Sequence, residues 1–210
     1  MPTQFPPSQA PSDPRAARTQ ASLREAVLRL AGSQRVEDIS VSQLTAAAQV
    51  NRTTFYRHAT SAADVLREAL YADFDAIRTD TLAIGDSVQD RREAWMAVTV
   101  RIAEHMERFE DVYRTGFGNN EAPSPALMRI AAEHFETSVH QYLERFPSLL
   151  PSVPESALPT LELAAARFIA SGTVELMRTW IQSPTPRDPR DYATITLAVM
   201  PAWFLGGPTD

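Results

Sequence analysis

The spacing of apolar residues constrains the fold of this chain more than any other feature of its sequence. Across long segments apolar side chains recur every three or four positions, and prolines or glycines interrupt the pattern between segments. This period belongs to an α-helix with one buried face, whereas the alternation of a half-buried β-strand never persists beyond a few residues. The pattern therefore predicts an all-α protein of about nine helices, without a sheet.

The apolar pattern and its breaks also give approximate helix bounds. Good N-caps precede several segments, among them Ser40, Asn51 and Ser61, and the prolines between residues 146 and 159 predict a loop. Residues 1–17 hold five prolines without apolar periodicity, so we predict a disordered arm there. Helices are predicted over about 18–32, 41–48, 52–58, 61–84, 91–117, 124–146, 158–182 and 188–204.

The composition removes several classes of protein and site. The 210 residues include no cysteine, which excludes disulfides, thiolate nucleophiles and thiolate metal sites. No apolar run reaches the length of about 18 residues that a transmembrane helix needs, and the first residues lack the apolar core of a signal peptide. We therefore expect a cytoplasmic protein that does not insert into a membrane.

Charge is distributed unevenly along the chain. The formal net charge is −6, yet residues 1–60 carry seven arginines against four carboxylates, which gives this part a charge of +3. The remaining 150 residues therefore carry −9. A basic head on an acidic body predicts an anionic partner for the head alone.

The densest group of hydrogen-bond donors lies in the stretch QVNRTTFYRHATSAADV, residues 49–65. Positions 52–58 hold two arginines, two threonines, a tyrosine and a histidine, and no carboxylate. Upstream, Ser40 and Gln43 form a capping box for the helix over 41–48, and a turn of about four residues leads to the next helix. Two short capped helices joined in this way are typical of a helix-turn-helix, whose second helix enters the DNA major groove.

The same region resembles a known signature. The segment SVSQLTAAAQVNRTTFYRHATSAADVL, residues 40–66, is similar to the DNA-binding signature of the TetR family of transcriptional regulators, and EAVLRLA upstream resembles that family's first helix. The resemblance covers about residues 22–70. The positions that fit it are Ser40, Val41, Leu44, Ala48, Val50, Asn51, Thr54, Phe55, Tyr56, His58, Ser61 and Leu66.

The resemblance implies two domains after the arm. Residues 18–64 would form a three-helix helix-turn-helix domain, and residues 65–210 a helical domain for ligand binding and dimerisation. This chain departs from the family's usual residues at four positions. Gln49 stands at the position of the turn glycine, and Ala62 at that of a lysine. Ala31 and Ala59 stand where members of the family usually have phenylalanine. A glutamine adopts the left-handed backbone of such a turn less readily than a glycine.

Residue chemistry and the resemblance together assign the contacts to a palindromic double-stranded DNA operator. Arginine pairs with guanine edges or phosphates, and threonine offers a hydroxyl or a methyl group. We expect Arg52 and Thr53 to read base edges, and Arg57 to contact bases or phosphates. The remaining candidates, for phosphate contact or for capping, are Ser40, Thr45, Asn51, Thr54, Tyr56 and His58.

Other interpretations of the same residues stay open. Short amphipathic helix pairs occur in many all-α proteins, and runs of arginine and threonine often form solvated faces. The alternatives are a helical small-molecule-binding protein or enzyme with an incidental helix-turn-helix, and an adaptor that binds other proteins through its last two helices. Since we find neither a catalytic motif nor a defined metal-ligand set, we expect no enzyme, metal or cofactor.

By the resemblance, the later helices enclose a pocket for a small-molecule effector. Aromatic and methionine side chains at helical spacing are candidates for its lining, although such residues also form ordinary core. Their abundance suits an apolar or aromatic effector. The candidates are Trp95, Thr99, Ile102, Met106, Phe109, Tyr113, Phe117, Met128, Phe135, Tyr142, Phe168 and Met177.

The segment 158–182 resembles the dimerisation helix of several branches of the TetR family. Its small residues allow two backbones to approach closely, and with the last helix it predicts a four-helix interface across a two-fold axis, the alternative being an intrachain core. The interface candidates are Leu161, Ala165, Phe168, Gly172, Leu176, Trp180, Ile195, Val199 and Trp203. The sequence thus predicts a homodimeric, ligand-responsive transcriptional regulator, a repressor in preference to an activator.

Overall fold

The fold is helical throughout the part of the chain that the computed structural model describes, residues 14–82, 87–118 and 122–206. Within these ranges there are nine α-helices and no strand, which confirms the all-α prediction. The α-helices are α1 (Pro14–Ala31), α2 (Val41–Ala48), α3 (Arg52–Phe55), α4 (Ala62–Leu82), α5 (Val88–Arg108), α6 (Glu110–Gly116), α7 (Pro125–Arg145), α8 (Leu158–Gln182) and α9 (Pro189–Val199). Short 3-10 helices cover Val36–Asp38, Pro147–Leu149, Glu155–Ala157 and Ala202–Leu205.

The first three helices and the start of α4 form an N-terminal head. Their apolar side chains meet in one core, and α1 packs against both α2 and α4. Val27, Leu44, Phe55 and Leu66, one from each helix, are at most 1 % exposed. Because α3 has only four residues, the buried ring of Phe55 is the main contact that fixes it to the other helices.

Helices α4 to α9 form the body of the molecule. Within it α7 packs along α8, α5 packs along α9, and α4 contacts both α5 and α7. The head core continues along α4, from Val65 and Leu66 to Phe74 and Ile77, into the interior of the body. One continuous helix thus connects the two parts. Of the described helices, none is long and apolar enough to cross a membrane.

Two helices have the predicted bounds and the first helix does not. α2 and α8 match the predictions, because Ser40 caps the start of α2 and prolines flank α8 at both ends. The first helix begins at Pro14, so the prediction that residues 14–17 belong to a disordered arm was wrong. Proline favours the first helical position, where its missing N–H leaves no hydrogen bond unmade. Residues 1–13 of the predicted arm lie outside the described residues.

Three other bounds differ from the predictions. The α-helix of α3 ends at Phe55, and residues 56–58 continue as turns in which the His58 N–H donates to the Phe55 carbonyl at 2.8 Å. The single helix predicted over 91–117 is broken at Phe109, which leaves helical backbone at φ −114° and separates α5 from α6. α9 ends before Pro201, which cannot continue a helix, and the rest of the predicted segment is a 3-10 turn. Residues 83 and 84, the predicted end of the fourth helix, are outside the described residues.

Candidate nucleic-acid interface and internal cavity

The two short helices of the head are held in place by side-chain caps. The Ser40 hydroxyl accepts a hydrogen bond from the Gln43 N–H at 3.1 Å, and the Asn51 side chain accepts one from the Thr54 N–H at 2.7 Å. Gln49, at the end of α2, has left-handed backbone angles of φ 56° and ψ 38°. This residue therefore makes the tight turn that the helix-turn-helix prediction requires, in spite of its side chain.

The outward face of α3 and the following turn carries exposed hydrogen-bond donors, and we call it the donor face; it consists of Arg52, Thr53, Tyr56 and Arg57. Arg52, Thr53 and Arg57 are exposed, and Tyr56 is exposed over 57 % of its surface while its ring packs edge-on against Phe55 beneath it. Within the described chain neither arginine forms an ion pair. The side chains predicted to contact DNA bases and phosphates thus share one accessible face, and no partner within the described chain occupies their charges.

The other predicted DNA contacts differ in accessibility. Ser40 and Asn51 are exposed at helix starts, and Thr54 and His58 are partly buried beside the donor face. The expectation for Thr45 was wrong: it is 5 % exposed, and its hydroxyl donates to the Val41 carbonyl at 2.8 Å. A threonine inside a helix often satisfies its hydroxyl in this way, and the side chain is then lost for recognition.

The nearest carboxylate after the donor face is engaged inside the chain. Asp64 accepts hydrogen bonds from the Thr60 N–H at 3.1 Å and from the Thr60 hydroxyl, and it lies 3.5 Å from Arg67. Burial raises the pKa of Asp64, but the hydrogen bonds from Thr60 and Ser61 outweigh it, so that the pKa is lowered overall. This negative charge therefore stays at the start of α4, where the helix dipole favours it.

Hydrogen bonds join the head to the body at several places. The Glu37 carboxylate accepts from the Ser124 hydroxyl and from the Ala126 N–H, both at 2.8 Å, at the N-terminal end of α7. The Thr115 hydroxyl of α6 donates to the Gly32 carbonyl at 3.0 Å, just after α1. Along α4, Arg24 of α1 donates to the Ala69 carbonyl at 2.7 Å. These contacts hold the head at a defined position relative to α4, α6 and α7.

An internal cavity lies between α4, α5, α7, α8 and α9. The cavity volume that the centre of a water molecule can reach is about 40 Å³. One water needs about 10–15 Å³ on the same measure. The wall is mostly apolar and aromatic, with a few polar side chains. Its residues are Phe74, Ile77, Arg78, Trp95, Val98, Thr99, Ile102, His134, Phe135, Ser138, Val139, Ile169, Thr173, Tyr192, Thr196 and Met200.

Four of the predicted lining residues contact this cavity: Trp95, Thr99, Ile102 and Phe135. The others do not. Phe168 is 71 % exposed on the outside of α8, so its placement in a pocket was wrong. The remaining predicted residues pack in the core or beside it, away from this cavity, and are Met106, Phe109, Tyr113, Phe117, Met128, Tyr142 and Met177. Their helical spacing is the same as that of the true lining, so periodicity could not separate them.

The prediction missed most of the polar wall. His134 and Ser138 lie one turn apart on α7, Thr173 lies on α8 and Thr196 on α9, each among apolar neighbours. Small polar residues on an otherwise apolar helix face are the sequence signal that could have indicated a cavity. Such side chains would otherwise be placed in dry core without partners, which is unfavourable.

A buried histidine joins α4, α5 and α6 beside the cavity. His105 lies 3.2 Å from the Asp73 carboxylate through Nδ1 and 2.8 Å from the Tyr113 hydroxyl through Nε2, and Arg108 lies 2.9 Å from the same carboxylate. Burial lowers the pKa of His105 to about 4, although Asp73 acts in the opposite direction. The ring is therefore neutral at pH 7, with Nδ1–H donating to Asp73 and Nε2 accepting from the tyrosine.

The outer face of α8 and α9 exposes large apolar side chains. Phe168, Ile195 and Val199 are 71 %, 52 % and 61 % exposed, and around Gly172 there is open space. Leu161, Leu176 and Trp203, also predicted at a dimer interface, are partly buried. Two other predictions for this interface were wrong. Ala165 and Trp180 are buried inside the chain, where the Trp180 ring packs on Tyr192 at 5.3 Å.

Within the described ranges, no cluster of three or more histidine or carboxylate side chains could hold a metal ion. His134 points into the interior and His140 is exposed, as expected for residues six positions apart on one helix.

The chain matches no protein-family model and no curated protein. Solved structures do match it over most of its length. A TetR transcriptional regulator from Streptococcus agalactiae superposes with a TM-score of 0.58 at 18 % identity, which covers 88 % of this chain and 94 % of that one. This chain has the TetR-family fold.

Two further solved structures match the TetR-family fold of this chain. The dihydroxyacetone kinase operon activator DhaS has a TM-score of 0.53 at 15 % identity and covers 86 % of this chain and 93 % of its own. A TetR-family transcriptional regulator from Streptomyces coelicolor has a TM-score of 0.52 at 14 % identity, with coverage of 85 % and 77 %. Each match covers at least 85 % of this chain.

Proposed function

We propose that this chain is a ligand-responsive, DNA-binding transcriptional regulator, a repressor that binds a palindromic operator as a homodimer. The observation that carries the proposal is the exposed donor face of Arg52, Thr53, Tyr56 and Arg57, held by two helix caps and free of carboxylates. Arginine and threonine on a helix of this kind contact base edges in the major groove. The charge of +3 on residues 1–60 favours the approach of that face to DNA.

The side chains of this face have separate roles. Arg52 and Thr53, at the start of α3, read base edges, and Arg57 contacts bases or phosphates. The hydroxyls of Thr54 and Tyr56 contact phosphates and set the register of the helix on the duplex. The caps from Ser40 and Asn51, together with the partly buried His58, support this arrangement.

The second subunit is another copy of this chain. Phe168 and Gly172 lie four positions apart, and therefore on one side of the helix, on the outer face of α8. Ile195 and Val199 have the same spacing on the outer face of α9. The inner faces of α8 and α9 line one cavity and the two helices contact each other, which supports one shared apolar surface on their outer side. Paired with its two-fold copy, this surface forms a four-helix interface, in which Gly172 permits close approach of the two α8 backbones.

The effector site is the internal cavity, and α4 and α7 connect it to the head. α4 carries both the cavity residue Phe74 and the head residue Leu66, eight positions apart, which is about 12 Å along a helix. α7 carries His134 in the cavity wall, and its N-terminal end is bound by Glu37 of the head. A ligand that binds better when α4 and α7 are displaced favours that displaced state. The displacement moves the two heads of the dimer away from the separation of roughly 34 Å at which they fit successive major grooves.

Selection of genomic DNA fragments by the purified protein tests the proposal. A regulator selects fragments that share a palindrome, whereas a helical enzyme, a carrier or a protein-binding adaptor selects none. A reporter gene placed behind the selected fragment then gives the sign of regulation. Lower expression with the protein present supports a repressor, and higher expression identifies an activator, as the structural neighbour DhaS is named.

A further inference from the structure

Several polar groups in the cavity wall have no hydrogen-bond partner within the described chain. They are Nδ1 of His134 on α7, Nε1 of Trp95 on α5 and the hydroxyls of Tyr192 and Thr196 on α9, and each of these atoms is buried. A buried polar group without a partner is unfavourable by about 1–3 kcal/mol. Four of them around one cavity indicate that the space accommodates a molecule with complementary polar groups.

The hydrogen bonds of Ser138 define which nitrogen of His134 carries the proton. The Ser138 hydroxyl has one hydrogen, and it donates that hydrogen to the His134 carbonyl at 2.9 Å. At its contact of 3.3 Å with Nε2 of His134 the same oxygen must therefore accept, which places the ring proton on Nε2. Burial lowers the pKa of His134 to about 3, so the ring is neutral. Nδ1 is then a buried acceptor that requires a donor.

In the part of the wall that α9 forms, Tyr192 and Thr196 supply hydroxyl groups that both donate and accept. Burial raises the pKa of Tyr192, so the phenol stays protonated. The two side chains are neighbours, but their oxygens do not meet in hydrogen-bonding geometry. They can therefore bind an oxygen on a molecule that occupies the cavity.

The wall offers little charge to such a molecule. Arg78 is the charged residue among those that line the cavity, and its guanidinium already lies 2.8 Å from the Asp75 carboxylate. The rest of the wall is apolar, aromatic or neutral and polar. Because an ion would lose its hydration here without a free counter-charge, the cavity favours uncharged molecules.

We propose that the effector is a small uncharged compound, at most a single ring, whose hydroxyl group donates a hydrogen bond to Nδ1 of His134. Phe74 and Phe135 pack against the ring, and Met200 is flexible enough to widen the cavity to its size. This inference rests on the proposed function only in calling the compound an effector; the binding chemistry stands on the cavity itself.

Three probes of similar size test the chemistry on the full chain: phenol, toluene and benzoate, with binding measured by calorimetry. Phenol is expected to bind about tenfold more tightly than toluene, the ratio that one net hydrogen bond of about 1.4 kcal/mol gives. Benzoate is expected to bind more weakly than phenol. Equal affinities for phenol and toluene, or the tightest binding for benzoate, would overturn the proposal.

A pair of matched variants assigns the hydrogen bond. His134→Phe removes the acceptor and is expected to abolish the preference for phenol over toluene. His140→Phe makes the same change at an exposed position of α7 outside the cavity and is expected to leave the preference intact. A preference for phenol that survives His134→Phe overturns the assignment.

Nitrogen-15 spectra of the histidine rings give a readout that does not depend on the folding of the variant. In the unmodified protein Nδ1 of His134 is expected to be unprotonated and to shift when phenol is added; a protonated Nδ1 contradicts the proposal. The test is separate from that of the function. A preference for phenol without any selected DNA fragment refutes the regulator and retains the binding site, whereas a selected operator without the preference does the opposite.

Discussion

Glu37 and Ser124 lie 87 positions apart in the chain, and the serine hydroxyl donates to the glutamate carboxylate at 2.8 Å. The same carboxylate accepts from the N–H of Ala126, so a side chain of the head satisfies the N-terminal end of the helix that lines the cavity. Free N–H groups at a helix start are where a carboxylate is most favourable. Through this contact and through the continuous α4, the helices that line the cavity are connected to the head.

Replacing Glu37 tests this connection. Glu37→Gln keeps the shape of the side chain and removes its charge, and we expect the free energy of unfolding to fall by about 1 kcal/mol, because the carboxylate is partly open to solvent. The matched control is Asp38→Asn, which changes a neighbouring carboxylate that is paired only with Arg35 near the surface. Urea unfolding measures both, and an equal effect of the two variants would contradict a specific role for Glu37.

The contact also predicts a dependence on acid. Burial raises the pKa of Glu37, but hydrogen bonds from the Ala126 N–H, from its own N–H and from Ser124 outweigh it and lower the pKa from 4.5. The stabilisation is therefore complete above pH 4.5 and is lost as the pH falls through the lower pKa of the folded state. Glu37→Gln is expected to reduce this loss below pH 4.5.

The left-handed backbone of Gln49 makes a second prediction, for stability. Gln49→Gly removes the Cβ that is unfavourable at φ 56°, and we expect the free energy of unfolding to rise by about 1 kcal/mol. Gln49→Ala retains the Cβ and is the matched control, with little or no gain expected. A destabilised glycine variant would mean that the glutamine side chain, and not its backbone, determines the turn.

The buried histidines make stability sensitive to mild acid. Burial lowers the pKa of His105 to about 4 and of His134 to about 3, below the value of 6.5 for an unfolded chain. Between the folded and the unfolded pKa values the unfolded state binds more protons. The free energy of unfolding is therefore highest above pH 6.5 and falls as the pH decreases towards 4. His134→Gln is expected to flatten this slope, and His140→Gln, at an exposed position, is not. Unchanged slopes in both variants would refute the assignment.

The outer face of α8 and α9 predicts the oligomeric state. The unmodified protein is expected to have about twice the 23.3 kDa mass of one chain in light scattering. Phe168→Glu places charge at the most exposed ring of this face and is expected to give a folded monomer. Val88→Glu is the control, because Val88 is an exposed apolar residue at the start of α5. A monomeric unmodified protein, or a dimer that persists in the Phe168 variant, would rule out this interface.

Much of the fold follows from local signals in the sequence, and the cavity follows from them only in part. Caps and prolines determine where α2 and α8 begin and end, so their bounds could be read directly. The break at Phe109 could not, because the apolar spacing continues across it. Nor could apolar spacing separate Ile102, which lines the cavity, from Met106 one turn later in closed core. Whether a buried side chain faces a cavity depends on how five helices pack together, which no single segment encodes.

In the head, the sequence predicted the helix with exposed donors but misplaced one side chain. Thr45 has the residue type of a DNA contact and lies in the matching motif, yet its hydroxyl is bonded to the Val41 carbonyl and its side chain is buried. Arg52 and Arg57 are exposed as expected. Residue type and motif predicted which helix presents exposed hydrogen-bond donors. The face of each helix was decided by the apolar residues, such as Leu44 and Phe55, that turn inward.

The central claim is that α3 reads DNA through Arg52, and a gel-shift series on the selected operator tests it most directly. Arg52→Ala is expected to weaken binding by about 5- to 150-fold, equivalent to about 1–3 kcal/mol, and to relax specificity at one base pair of each half-site. Arg129→Ala removes the same charge from the exposed surface of α7 and is expected to leave binding unchanged. Unchanged affinity and specificity in the Arg52 variant would contradict the account.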